Sequence, residues 1–210
     1  IQKLKDSADF SIYTPGSNAG IGVSILKSFA APAQTIRDDG ELPVVTGMWL
    51  PEDLPGSEAE TIRRAFPWDD PQLATRGIKI FLDGTLGART AALSTPYADD
   101  PETSGELRLT AKEIAERVER WASVALHAIG DRAVTLALDA LETAPRPSVG
   151  AHRIEHAQVV LRSDLPRFAR AGVVASVQPG HWRDDRRWLS ARLGARPEVL
   201  AHPLASFALA

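Results

Sequence analysis

The chain has 210 residues, 44% of them hydrophobic and 24% charged, with a net charge of −3 and no cysteine. This is ordinary globular composition, enough for one sizeable core and hardly for two, and it excludes disulfides and thiolate metal sites. The near balance of charge gives no reason to expect nucleic acid or a membrane surface as partner, and no apolar run approaches the roughly 20 residues that cross a bilayer. The missing cysteines and the lack of a charged-then-apolar leader fit a cytoplasmic setting. The chain opens at Ile1 and stops on the apolar run "HPLASFALA", which reads as a segment of something larger.

The first 40 residues carry no legible period. "PVVTGMWL" (43–50) reads as a buried strand and "PEDLPGSEAE" (51–60) as a loop rich in Pro and acidic residues. In "GIKIFLDG" (77–84), Lys79, Phe81 and Asp83 alternate with Ile78, Ile80 and Leu82, the period of a strand. "TAKEIAERVERWA" (110–122) reads as an amphipathic helix opened by a Thr110–Glu113 capping box, with Ile114, Val118 and Trp121 on one face. "SVALHA" (123–128) is a strand and "DRAVTLALDALETA" (131–144) a helix. "HRIEHAQVV" (152–160) is a strand, and "SDLPRFARAG" (163–172) a short helix with Ser163 near its start and Gly172 just past its end. "VVASVQP" (173–179) is a strand again and "RRWLSARLG" (186–194) helical. Strands alternating with helices predict a parallel α/β sheet, open or closed into a barrel. The junction at residues 122 and 123 has no turn residue, so either the helix ends early or residues are missing there.

In parallel α/β proteins functional groups gather at the carboxyl ends of strands. Asp83, His127, His156 and the stretch from Gln178 to His181 all fall there. A single strand-end histidine is more often structural, whereas two at the ends of successive strands can converge on one ion. "HRIEH" (152–156) also matches the H-x-x-E-H signature of a class of zinc peptidases. That reading needs a helix, and the neighbouring Gly150 and "QVV" favour a strand. Asp131 reads by default as a helix cap. Arg132 then sits in a first turn that disfavours a cation, which suggests a carboxylate or substrate partner. "DGTLGART" (83–90) is only a weak phosphate-loop candidate, since it lacks the terminal Lys-Ser/Thr. "WRDDRRW" (182–188) reads as a solvated turn and helix start.

Taken together, "KIFLDGTLGARTAALSTPYADDPETSGEL", "ALHAIGDRAV", "HRIEHAQVV" and "GVVASVQPGHW" resemble, in order and spacing, the amidohydrolase superfamily. The branch that fits is amidohydrolase family 3, which includes N-substituted formamide deformylases. The resemblance covers residues 76 to 188. It implies a metal-dependent (β/α)8 TIM-type barrel with a small β-sandwich; residues 1–210 read as an incomplete segment of the barrel, with its first-strand and eighth-strand parts and the sandwich missing. It implies hydrolysis of an amide- or formamide-type C–N bond, with one or two divalent ions, zinc first among them.

Carried over by position, His127 and His156 match metal-binding histidines of the fifth and sixth strands. Lys79 lies on the strand that carries a bridging, commonly carboxylated, lysine, and Asp83 shares its face near the strand end. Both are candidate catalytic groups, and Lys79 is a candidate ligand. Gln178 and His181 match a loop on the substrate side, with Arg132 as a further substrate contact. The family's H-x-H pair is absent, because no two of the five histidines stand two apart. The aspartate of the eighth strand, expected as general base, would follow the end of the chain, and 210 residues fall short of the roughly 250 of a whole barrel. The expected partner is a small amide-type substrate, with a homodimer an open assembly. Two other readings stay open: a barrel that has lost catalysis and serves as a binding or structural domain, or a metal-dependent hydrolase of phosphoesters or lactones.

Overall fold

The computed structural model describes residues 10–12, 46–53, 56–70, 72–148 and 150–209. It divides into two compact units, Ile1–Lys79 and Ile80–Ala210.

The first unit holds β1 (Phe10–Ile12), β2 (Thr46–Pro51), α1 (Gly56–Ala65) and most of β3 (Leu73–Phe81). β2 pairs in parallel with β1 and with β3, and slips register between Met48 and Trp49. Met48, Trp49, Leu50, Leu73 and Ala74 are buried, as runs apolar on both faces require. Two sequence expectations are corrected. Residues 56–60 are the first half of α1 rather than loop: Ala59 and Ile62 are buried three residues apart, Phe66 is buried just beyond, and Glu60 pairs with Arg64 across one turn at 2.9 Å. β3 starts at Leu73, four residues earlier than its alternation suggested, and ends at Phe81. The part of the 43–50 strand before residue 46 lies outside the described residues.

The second unit runs on from Ile80. α2 (Ala111–Arg120) carries the expected capping box: Thr110 N–H donates to Glu113 Oε2 at 2.8 Å and Glu113 N–H to Thr110 Oγ1 at 3.3 Å. The helix stops at Arg120, and Trp121 is already extended (ψ 135°). Residues 121–123 therefore form the short connection that the sequence lacked on paper. β4 (Val124–Ala128), α3 (Asp131–Thr143) and β5 (Arg153–His156) follow. Next come β6 (Val159–Leu161), α4 (Leu165–Ala171) and β7 (Val174–Ser176). α5 (Pro179–Asp185), α6 (Leu189–Leu193), β8 (Val199–Ala201) and α7 (Leu204–Leu209) complete the unit.

β4, β5 and β7 lie side by side in parallel, with Leu126 opposite Ile154 and Ile154 opposite Ala175, so the α/β prediction holds. β6 and β8 form a separate antiparallel pair. The single strand expected over 152–160 is two strands, broken where His156 (φ 78°) and Ala157 (φ 42°) enter the left-handed region. α5 is a helix where a strand end and a turn were expected.

Two features brace this unit. Leu86, Ala91, Leu93, Tyr97, Ile129, Val159, Leu193 and Val199 form one buried cluster that seats the long excursion after β3 on β6 and β8. On the helical side, Arg167 of α4 reaches Asp139 (2.6 Å) and Glu142 (2.8 Å) of α3 as well as its own Asp164 (3.1 Å). Gly172 ends α4 at φ 66°, as expected.

Candidate metal centre

The chain leaving β3 turns at once into a buried knot. The Asp83 carboxylate accepts the N–H groups of Ala92 (3.0 Å), Ile129 (3.0 Å) and Gly130 (2.8 Å). It thereby ties the end of β3, the excursion after it and the turn after β4 to one point. Burial pushes its pKa up to about 7, against the lowering effect of the N–H groups from Gly130, Ala92 and Ile129. Gly130 is there for space: a Cβ would lie 2.0 Å from the Ala92 carbonyl oxygen. Gly84 is similar, with Thr90 Oγ1 2.1 Å from a built Cβ. The N–H groups of Gly84 and Thr85 donate to Thr90 O and Oγ1 at 3.1 and 2.9 Å. The loop thus closes on itself rather than around a phosphate.

Above this knot lie His127 and His156, both buried, with ring centroids 4.5 Å apart in a T-shaped arrangement. Strand geometry alone would not bring them together. His127 stands opposite Glu155 in register, so His156, one residue on, would point to the other face of the sheet. The positive φ of His156 turns it back. A non-glycine residue in that region costs about 1 kcal/mol or more, a cost that collects at functional sites.

The hydrogen bonds of the two rings set opposite tautomers. Gly84 O, which can only accept, lies 2.9 Å from His127 Nε2, so Nε2 carries a proton and the neutral ring has its lone pair on Nδ1. Gln178 Nε2 donates to Ser176 O at 2.8 Å, which turns Gln178 Oε1 towards His156 Nδ1 at 2.7 Å. His156 therefore donates from Nδ1, and its neutral ring has the lone pair on Nε2. Phe81 flanks His127 at 4.9 Å between centroids. Two imidazoles, each with one nitrogen held by an oxygen acceptor, are in their neutral form a donor set that fits a divalent ion of borderline softness. Among the described residues no set of three or more His, Asp or Glu side chains could hold a metal ion.

The other candidates fall out as follows. Asp83 Oδ1 lies 3.7 Å from His127 Nε2, below the pair and turned to the backbone. Lys79 is buried on β3 in the first unit. Gln178 serves His156 directly, and the His181 ring stacks on His156 at 5.7 Å. Arg132 is exposed in the first turn of α3. Asp131 is not the helix cap: Gly130 occupies that position, and the Asp131 carboxylate accepts from Ser94 N–H (3.2 Å), Ser94 Oγ and Arg196 Nη2 (3.0 Å).

His152 lies away from the pair. Its Nδ1 accepts from Val124 N–H (3.3 Å) and its Nε2 donates to Pro145 O (3.0 Å), and with residues 153–156 in a strand the H-x-x-E-H peptidase reading is overturned. Glu155 is buried and taken by Arg153 Nε at 2.9 Å. Sequence reasoning passed over Gln158, whose Nε2 donates to His181 Nδ1 at 3.0 Å, and the Asp185–His202 contact at 3.2 Å. The "HAQ" of residues 156–158 was the signal for the first; nothing local signals the second.

Parallel strands that deliver two imidazoles at their carboxyl ends define an α/β protein whose candidate site lies where such folds carry theirs. The chain belongs to the amidohydrolase family: the Amidohydro_3 model of that family matches residues 22–208. It is 40% identical over 129 residues to the Bacillus subtilis (strain 168) protein named "Putative amidohydrolase YtcJ", covering 59% of this chain and 24% of that one. It is 33% identical over 130 residues to Protein LONG AFTER FAR-RED 3 of Arabidopsis thaliana, covering 59% of this chain and 22% of that one. Its fold is similar to an uncharacterized metal-dependent hydrolase from Pyrococcus furiosus, with TM-score 0.62, 38% identity, 77% of this chain and 34% of that one. A second such hydrolase, from Pyrococcus horikoshii OT3, gives TM-score 0.60 and 34% identity over 76% of this chain and 32% of that one. The chain thus spans about a quarter of the length of the curated relatives it matches. Among the described residues no helix is long and apolar enough to cross a membrane.

Proposed function

We propose that the protein is a metal-dependent hydrolase that cleaves an amide- or formamide-type C–N bond of a small molecule, with zinc as the ion. The observation that carries this reading is the His127–His156 pair, turned together by a left-handed residue and set in opposite tautomers. In the same reading β4, β5 and β7 are successive staves of a (β/α)8 barrel. His127 Nδ1 and His156 Nε2 hold the ion, Gly84 O and Gln178 Oε1 keep the rings oriented, and Asp83 fixes the floor beneath them. Bound there, a divalent ion supplies Lewis acidity, which polarises a carbonyl and makes water nucleophilic near neutral pH.

The first test is the metal content of the purified protein beside His127→Ala and His156→Ala, followed by a panel of amides, formamides, phosphoesters and lactones. About one or two ions per chain, lost in both variants, with turnover confined to amides, support the reading. A folded protein that takes up no zinc supports a non-catalytic binding or structural domain. Turnover confined to phosphoesters or lactones moves the chemistry to those bonds.

A further inference from the structure

α5 has little of its own to hold it in place. It buries none of its residues, and its Trp182 is 45% exposed. Yet His181, in its first turn, lies flat on the buried His156, with 13° between the rings. Two side-chain bonds pin the helix, one near each end. Gln158 Nε2 meets His181 Nδ1 at 3.0 Å, and His202 Nε2 donates to Asp185 Oδ2 at 3.2 Å. Both pins spring from one buried place, since His202 N–H donates to Gln158 O at 2.6 Å and both residues are buried.

The geometry points to Gln158 as a positioning residue that sets His181 in its Nε2–H tautomer against His156, so that His181 offers an N–H donor to the reacting carbonyl oxygen of the substrate. This rests on the hydrolase reading above and gives α5 a task within it. An amide N–H can only donate, so His181 Nδ1 must hold the lone pair, and the proton of the neutral ring is then on Nε2. With Nδ1 engaged and Nε2 protonated, the ring has no lone pair with which to take a proton from water. It is a donor, not the base. As hydroxide adds to the carbonyl carbon, its oxygen lone pair forms the new C–O bond and the C=O π pair moves onto the carbonyl oxygen. The His181 N–H hydrogen-bonds that oxygen and keeps its own proton. A pre-set donor of this kind contributes where charge grows in the transition state. His181 is an exposed residue stacked on the buried His156.

The test is 15N NMR of the protein labelled at histidine and glutamine, with kinetics alongside. The expected result is an Nε2–H tautomer at His181 and a 15N–15N coupling across the hydrogen bond to Gln158 Nε2. Gln158→Glu, whose carboxylate only accepts, should reverse His181 to the Nδ1–H form while His127, His156 and the metal content stay as they were. On an amide substrate kcat should then fall about 100-fold, with KM moved far less. Gln158→Leu should abolish the coupling and is the fallback if the Glu variant does not fold. An Nδ1–H tautomer in the unaltered protein, a missing coupling, or a reversed tautomer with unchanged kcat overturns the inference. The signature is read without substrate. No turnover with the signature intact therefore refutes the hydrolase reading and with it the substrate contact, whereas a failed signature refutes the positioning alone.

Discussion

Replacing Gly130 by alanine adds a single methyl group at the most crowded point of the knot. The backbone there is ordinary (φ −77°, ψ 151°), so the demand is for space and not for handedness. The new Cβ would stand 2.0 Å from Ala92 O and 2.4 Å from its carbonyl carbon, and reaching even 3.0 Å from that oxygen requires a backbone retreat of about 1 Å. That retreat pulls Ala92 N–H from the Asp83 carboxylate (3.0 Å) and Ala92 O from the Arg132 N–H (3.1 Å). Overpacking costs about 1–3 kcal/mol, and the two hydrogen bonds, one to a carboxylate, add about 2–4 kcal/mol. We therefore expect Gly130→Ala to lose about 3–7 kcal/mol in urea denaturation followed by circular dichroism, a midpoint shift of about 1 M or more. Gly180→Ala is the control, because no atom lies within 4 Å of its Cβ and the residue is in a helix. It should be neutral or slightly stabilising. A Gly130→Ala midpoint equal to that of the control would refute the reasoning.

Asp83 has an ordinary pKa of 3.8 and a folded value of about 7, so between those pH values the folded chain binds the extra proton. The stabilisation this group provides is complete below pH 4 and is lost as the pH rises through 7, by at most about 4 kcal/mol. The stability difference between the protein and Asp83→Asn, followed from pH 4 to 8, should shrink accordingly; a flat difference contradicts the shift. Arg167→Met removes a mostly buried guanidinium from its three carboxylate partners and should cost about 1–3 kcal/mol in the same denaturation assay. His152→Asn should lower stability by about 1–3 kcal/mol yet leave the metal content unchanged, since both ring nitrogens serve the backbone. Loss of metal in that variant would bring His152 back into the site.

The legible parts of this chain were those in which one local rule suffices. "SVALHA" has an unbroken apolar run over Val124–Leu126, and Thr110 with Glu113 is a self-contained cap, so both were visible as written. His127 and His156 were visible as strand ends, but not how they meet, because nothing local marks a histidine for the left-handed region. For the same reason "HRIEHAQVV" read as one strand. α1 was hidden by Pro51, Pro55 and Gly56, whose loop signal outweighed the three-residue spacing of Ala59 and Ile62. α5 has no apolar stripe to read, because it buries nothing. Asp131 looked like a cap until the distant Ser94 and Arg196 claimed its carboxylate.

The Asp83 knot also has a consequence for the order of folding. Its bonds to Ile129 and Gly130 join residues 46 and 47 apart in the chain, while those within α2 and α3 span a single turn. Closing so long a loop costs entropy before any contact compensates it, so helices form early and this junction late. A late junction lies beyond the rate-limiting barrier: damage to it should hasten unfolding and leave the refolding rate nearly untouched. His127 is oriented by the same junction, so the imidazole pair takes its final arrangement only when folding is almost complete.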